Sequence, residues 1–116
     1  MVRAGSETKI AAGAEAFVGD PLRAESYASR VSPPDTFVHL IGVPHPSPAK
    51  AREFKAIDLL SIQAAVPAAS AAGVLHFIYL SVAQSAPIRK VFQEVRREGE
   101  ELVRCSGMNA IGGRCR

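Results

Sequence analysis

Two short apolar runs set the framework of this chain. Thr36-Phe37-Val38-His39-Leu40-Ile41 is continuous, β-branched and aromatic, and Gly42 closes it. His76-Phe77-Ile78-Tyr79-Leu80-Ser81-Val82 has the same character. Runs this short, apolar at successive positions, predict strands buried on both faces of a parallel sheet. A third, weaker strand is predicted at residues 14–18, ended by Gly19-Asp20.

Helical patterns lie between these runs. Asp20 can cap and Pro21 can open a helix over residues 22–30, which Ser32-Pro33-Pro34 then stops. Residues 51–72 form the long helix, with Phe54, Ile57, Leu60 and Ala64 at helical spacing. Pro67 interrupts that pattern and is expected to kink or restart the helix, because it removes a backbone donor. Gly73 is its C-terminal stop. The last helix spans about residues 87–106, with Val91, Val95, Leu102 and Val103 on its buried side, and Gly107 caps it. Met108-Asn109-Ala110-Ile111 reads as the start of another strand.

Strands alternating with helices imply right-handed crossovers and a parallel α/β sheet. Ligands of such sheets bind outside the carboxyl ends of the strands. The segments to inspect are therefore Gly19-Asp20, Gly42-Val43-Pro44-His45 and Ser81-Val82-Ala83-Gln84. The proline-rich stretch 44–48 has the makings of a shaped active-site loop.

Composition narrows the classes. A chain of 116 residues allows one small domain, and 47% hydrophobic with 22% charged residues is ordinary for a folded chain. The net charge of +3 is mild. Arg89, Lys90, Arg96 and Arg97 alternate with Glu94, Glu98, Glu100 and Glu101, which predicts a mixed-charge helix face and no nucleic-acid partner. Cys105 and Cys115 lack zinc-ligand spacing and read as incidental thiols, with a disulfide between them left open. No run is long enough to span a bilayer and the start carries no signal-peptide core, so no membrane partner and a cytoplasmic location are expected.

Four segments in order resemble the atypical short-chain dehydrogenases/reductases, the branch with NmrA-like and epimerase/dehydratase-like proteins. Val18-Gly19-Asp20-Pro21-Leu22 resembles the family's third-strand ending, and residues 35–42 its fourth strand. Residues 71–81 resemble the passage from helix to fifth strand, and residues 98–110 that from helix to sixth strand. The resemblance implies a partial Rossmann-type, doubly wound parallel sheet over residues 1–111, with a divergent tail over 112–116. It also implies an NAD or NADP cofactor, a small-molecule dinucleotide as partner. Met1-Val2-Arg3 would end the second strand, so the first strand and the glycine-rich turn would be missing, as would the family's substrate-binding end. No Gly-x-x-Gly-x-x-Gly occurs in the chain. Those glycines let backbone N–H groups and a helix N-terminus approach the pyrophosphate.

The same resemblance assigns candidate sites. Cofactor binding falls to Arg3 (for a 2′-phosphate, with Lys9 a weaker candidate), Asp20 (near the adenine), Gly42, Val43 and Ser81. Ser81 matches the active-site serine. The family's Tyr-x-x-x-Lys falls on Phe92 and Arg96, with Glu100 one turn further on. Phe92 has no hydroxyl and cannot act as acid or base, while Arg96 could still orient a ribose. Each has a plainer alternative: Arg3 a solvated arginine, Asp20 a cap, Gly42 a turn, Phe92 core packing.

Asp58 matches a position often held by asparagine, with a solvated helix residue preferred on general grounds. His39 is expected as a hydrogen-bonded core histidine, and His76 and Tyr79 as structural residues. His45 is open to substrate.

Three functional readings stay open. They are an NAD(P)-dependent oxidoreductase or epimerase-like enzyme, a non-catalytic dinucleotide-sensing or interaction module, and a partial product inactive by itself. Without its inner strand the sheet would leave backbone groups unpaired, at a cost on the order of 1 kcal/mol or more each. Marginal stability and self-association through exposed sheet edges are the expected consequences.

Overall fold

The structure is a computed structural model describing residues 1–32, 36–45, 47–81 and 90–109. Two strands, β1 (Thr36–His39) and β2 (His76–Tyr79), pair in parallel with Thr36 opposite His76 and His39 opposite Tyr79. The predicted strands are thus present but shorter. Asn109 forms a parallel bridge to His76 on the other side of β2, accepting from Phe77 N–H (3.2 Å) and donating to Leu75 C=O (2.7 Å). This is the described part of the strand expected at Met108. The strand expected at 14–18 is reduced to one parallel bridge, Val2 to Val18.

The connection between β1 and β2 is helical from Ala51 to Ala71. It comprises α1 (Ala51–Glu53), a π-helical segment (Phe54–Leu59) and α2 (Leu60–Ala71). Pro67 sits inside α2 without ending it. Its missing N–H would have met the carbonyl of Gln63, an exposed position. Gly73, at φ +81°, closes the helix. Its N–H donates to Ser70 C=O, and Val74 N–H donates back to Ala69 C=O (both 3.1 Å), the wrap of a Schellman motif that buries Val74. After β2, α3 (Lys90–Cys105) follows, stopped by Gly107 at φ +80°.

The helix expected over 22–30 is two 3-10 turns, Ala24–Ser26 and Ala28–Arg30. Ser26 accounts for the break: its hydroxyl takes the carbonyls of Asp20 (3.0 Å) and Arg23 (2.8 Å), drawing the chain into a local turn.

The buried stripe of the long helix differs from the expected one. Ile57 and Leu60 are exposed, and the packed face is Phe54, Asp58, Ser61, Ile62, Ala65, Val66 and Ala69. On α3 the packed face is Phe92, Val95, Arg96, Gly99 and Val103. Both helices cover one side of the sheet, where Phe37 and Phe77 stack with centroids 5.0 Å apart. The opposite side is open among the described residues: Val38 and Ile78 are 50% exposed, Leu80 56% and Leu40 64%. The expectation of strands buried on both faces is corrected accordingly. The 3-10 turns before β1 bury none of their own residues, and Tyr27 between them is buried.

No helix among the described residues is long and apolar enough to cross a membrane. Cys105 is not a free thiol, which corrects the incidental-thiol reading. Cys115 lies outside the described residues, as do Val82–Gln84 and the tail at 112–116.

Gly99 permits the closest packing of α3 on the sheet. A Cβ there would stand 2.5 Å from the Tyr79 hydroxyl and 2.7 Å from its ring carbon Cζ. Gly99→Ala is expected to destabilise the chain by about 1–3 kcal/mol, whereas the neighbouring exposed Glu98→Ala stays within about 0.5 kcal/mol. Urea unfolding followed by circular dichroism checks both.

Candidate functional site

The carboxyl ends of β1 and β2 meet at one group of buried polar side chains. Asp58, from the middle of the π-helical segment, is fully buried. Its Oδ1 pairs with Arg96 Nη2 at 2.6 Å, and its Oδ2 accepts the Val43 N–H at 3.0 Å. Arg96 also donates to the carbonyls of Leu80 (2.9 Å) and Ile41 (3.4 Å). Its guanidinium lies over the rings of Phe92 (5.2 Å) and Tyr79 (5.5 Å). One cation thus ties α3 to the last residues of both strands and to the helical connection. Burial pushes the Asp58 carboxyl up, while the Val43 N–H and the Arg96 charge pull it down.

Gly42 belongs to the same arrangement. A Cβ there would collide with Arg96 Nη2 and stand 3.2 Å from Asp58 Oδ1. The space that its missing side chain leaves is filled by the ion pair, so close approach at Gly42 serves Arg96. Val43 is buried among Phe54, Phe92 and Val95. Phe92 packs against Phe54 with ring centroids 5.0 Å apart, a core role.

Ser81 lies just beyond β2. Its hydroxyl donates to Glu100 Oε1, and Glu100 Oε2 takes Arg104 Nη2 at 3.2 Å. Glu100 thus bridges the Ser81 hydroxyl and the Arg104 guanidinium.

The other expected cofactor residues are elsewhere. Arg3 is exposed beside the Val2–Val18 bridge, and its carbonyl accepts the Ser6 N–H at 3.1 Å. Asp20 Oδ1 accepts the Leu22 N–H at 2.9 Å, a turn-capping bond. Neither shares a hydrogen bond with the cluster around Arg96. His45 is exposed with φ +50°. No group of three His, Cys, Asp or Glu fit to hold a metal occurs among the described residues.

Asp58 is the residue that sequence reasoning misplaced. It is buried rather than solvated. The signal was present: Phe54, Asp58, Ser61, Ile62 and Ala65 fall on one helical face, and the two polar members disguised it. His39 is the expected core histidine. Its Nε2 meets Ser61 Oγ at 3.1 Å, and that hydroxyl donates to Asp58 C=O at 2.9 Å. With its proton so committed, Ser61 accepts from Nε2–H, and Nδ1 is the bare acceptor. Burial and the nearby Arg96 charge push the His39 pKa down to about 4.

Comparison with protein-family models, with curated proteins and with solved structures finds no match for the chain.

Asp58→Asn leaves the Arg96 cation buried without its counter-charge and is expected to cost about 3–5 kcal/mol. The double replacement Asp58→Leu with Arg96→Met is expected to cost markedly less than the sum of the singles, as a double-mutant cycle in urea shows. His39 generates a pH dependence. A folded pKa of about 4 lies below the ordinary 6.5 of an unfolded histidine. Its contribution is therefore complete above pH 6.5 and is lost as pH falls through 4, by roughly 3 kcal/mol in total. Unfolding midpoints measured across that window should decline with acidification, and His39→Phe should flatten the decline.

Proposed function

We propose that the chain is a dinucleotide-binding type of α/β module, of the Rossmann-like short-chain dehydrogenase/reductase kind, that performs no hydride transfer by itself. The reading rests on the ordered resemblance of four segments and on the parallel strand–helix–strand unit whose strand ends lie side by side. The observation that carries its catalytic silence is the commitment of Arg96. The side chain at the family's lysine position is 5% exposed and locked onto Asp58, Leu80 and Ile41. Phe92, at the tyrosine position, is buried core. Among the described residues the carboxylate beside Ser81 is that of Glu100, and Arg104 holds its other oxygen.

A second reading, an interaction module without nucleotide, is favoured by a specific observation. One face of the sheet presents Val38, Leu40, Ile78 and Leu80 half open or more. A contiguous apolar patch of this kind marks an association surface.

Calorimetric titration of the purified chain with NADH and with NADPH separates the two. Dinucleotide capture without a glycine-rich cradle is expected to be weak, with a Kd of about 1 mM. No loss of reduced-nicotinamide absorbance is expected with carbonyl compounds. Turnover, or stoichiometric micromolar capture, would overturn the weak, silent module. No binding of either coenzyme at several millimolar removes the dinucleotide reading and leaves the interaction reading.

A further inference from the structure

A cavity of ≈ 420 Å³ runs along the whole of β1. Met1, Phe17, Tyr27, Phe37, Ala65 and Val74 are among the apolar residues that line it. Among the described residues β1 is the edge of the sheet. His39 C=O accepts the Leu80 N–H at 3.3 Å, so His39 and Phe37 turn their backbone groups toward β2. Backbone groups alternate along a strand, so those of Thr36, Val38 and Leu40 turn away from β2, to the free edge. Among the described residues no backbone bond outside the β1–β2 ladder reaches Val38 or Leu40.

A second observation concerns side chains. The Tyr27 hydroxyl and His39 Nδ1 are buried without a hydrogen-bond partner among the described residues. Both residues line this cavity and both are 3% exposed. Orphaned buried polar atoms cost about 1–3 kcal/mol each, so a cavity flanked by two of them and by a bare strand edge calls for an occupant with donors and acceptors.

We propose that this cavity is a strand-acceptor slot that takes one extended, apolar segment of another polypeptide, added to the free edge of β1. Backbone N–H and C=O groups of the segment pair with those of Thr36, Val38 and Leu40, and alternate side chains enter the space between Phe37, Ala65 and Phe17. Small residues fit there, and one hydroxyl or amide among them meets His39 Nδ1 or the Tyr27 hydroxyl. The remaining side chains extend the open face of Val38 and Leu40. A small apolar molecule would fill the volume but leave the edge unpaired. The inference rests on the interaction reading and not on nucleotide capture.

The test uses the full chain and a fluorescein-labelled, N-acetylated hexapeptide alternating valine with serine. A matched peptide carries N-methyl groups on alternate backbone nitrogens. Anisotropy titration is expected to show saturable binding of the first and at least about a tenfold loss for the second. Val38→Pro, which removes an N–H that points away from β2 and is therefore tolerated at an edge, is expected to lose the peptide with an unchanged circular dichroism spectrum. Hydrogen exchange at the Val38 and Leu40 amides is expected to be fast in the free chain and slowed by the peptide.

Absence of binding overturns the proposal, as does equal binding of the methylated peptide, which would mean an apolar cavity for small molecules. Sedimentation showing a dimer with the Val38 and Leu40 amides already protected overturns it in favour of a second copy. Because the peptide and NADH are titrated separately, failure of the slot and failure of the dinucleotide reading are read independently.

Discussion

Arg96 reaches three acceptors that belong to three different parts of the chain. Asp58 comes from the helical connection, Ile41 from the end of β1 and Leu80 from the end of β2. The pair it makes with Asp58 is out of water, with side-chain exposures of 6% and 0%. Desolvating two charges is unfavourable by several kcal/mol per ion unless each finds its full set of partners. Here the partners found by Asp58 and by the two Nη atoms of Arg96 constrain what surrounds them, while Arg96 Nε has none among the described residues. Gly42 has room for no side chain, Val43 must direct its N–H at Asp58, and α3 must approach closely enough for the guanidinium to arrive between Phe92 and Tyr79.

The same constraint shapes the chemistry at the strand ends. In a parallel sheet this is the place where ligands bind. Among the described residues that place holds the Asp58–Arg96 ion pair, and the nearby Ser81 donates to Glu100. The described groups at the strand ends are therefore tied to one another.

The sheet has the opposite character. One face packs Phe37, His39, Phe77 and Tyr79 against α2 and α3, while the other leaves Val38, Leu40, Ile78 and Leu80 half open or more. Parallel strands are usually covered on both faces, because their crossover helices lie there. Here both helices lie on the same side, and the edge of β1 borders a cavity with unpartnered polar atoms. The described core is therefore concentrated in the layer between sheet and helices.

Local pattern determined much of this. The apolar runs at 36 and 76, the long helix that ends at Gly73 in a left-handed turn, and the stop at Gly107 follow from side-chain stiffness, hydrophobic period and glycine's access to positive φ. Those are properties of neighbouring residues, and a single chain displays them. Tertiary structure decided the rest. Asp58 and Arg96 are 38 residues apart, and each looks like a solvated helix charge until the other is placed beside it. Ile57 and Leu60 read as core, yet the polar stripe through Asp58 and Ser61 is the buried one, because the ion pair and the His39 bond satisfy it. The helix foreseen at 22–30 gave way to Ser26, whose hydroxyl found nearby carbonyls. Burial of a polar group depends on whether a distant partner arrives, and that information lies in the packing and not in any one segment of sequence.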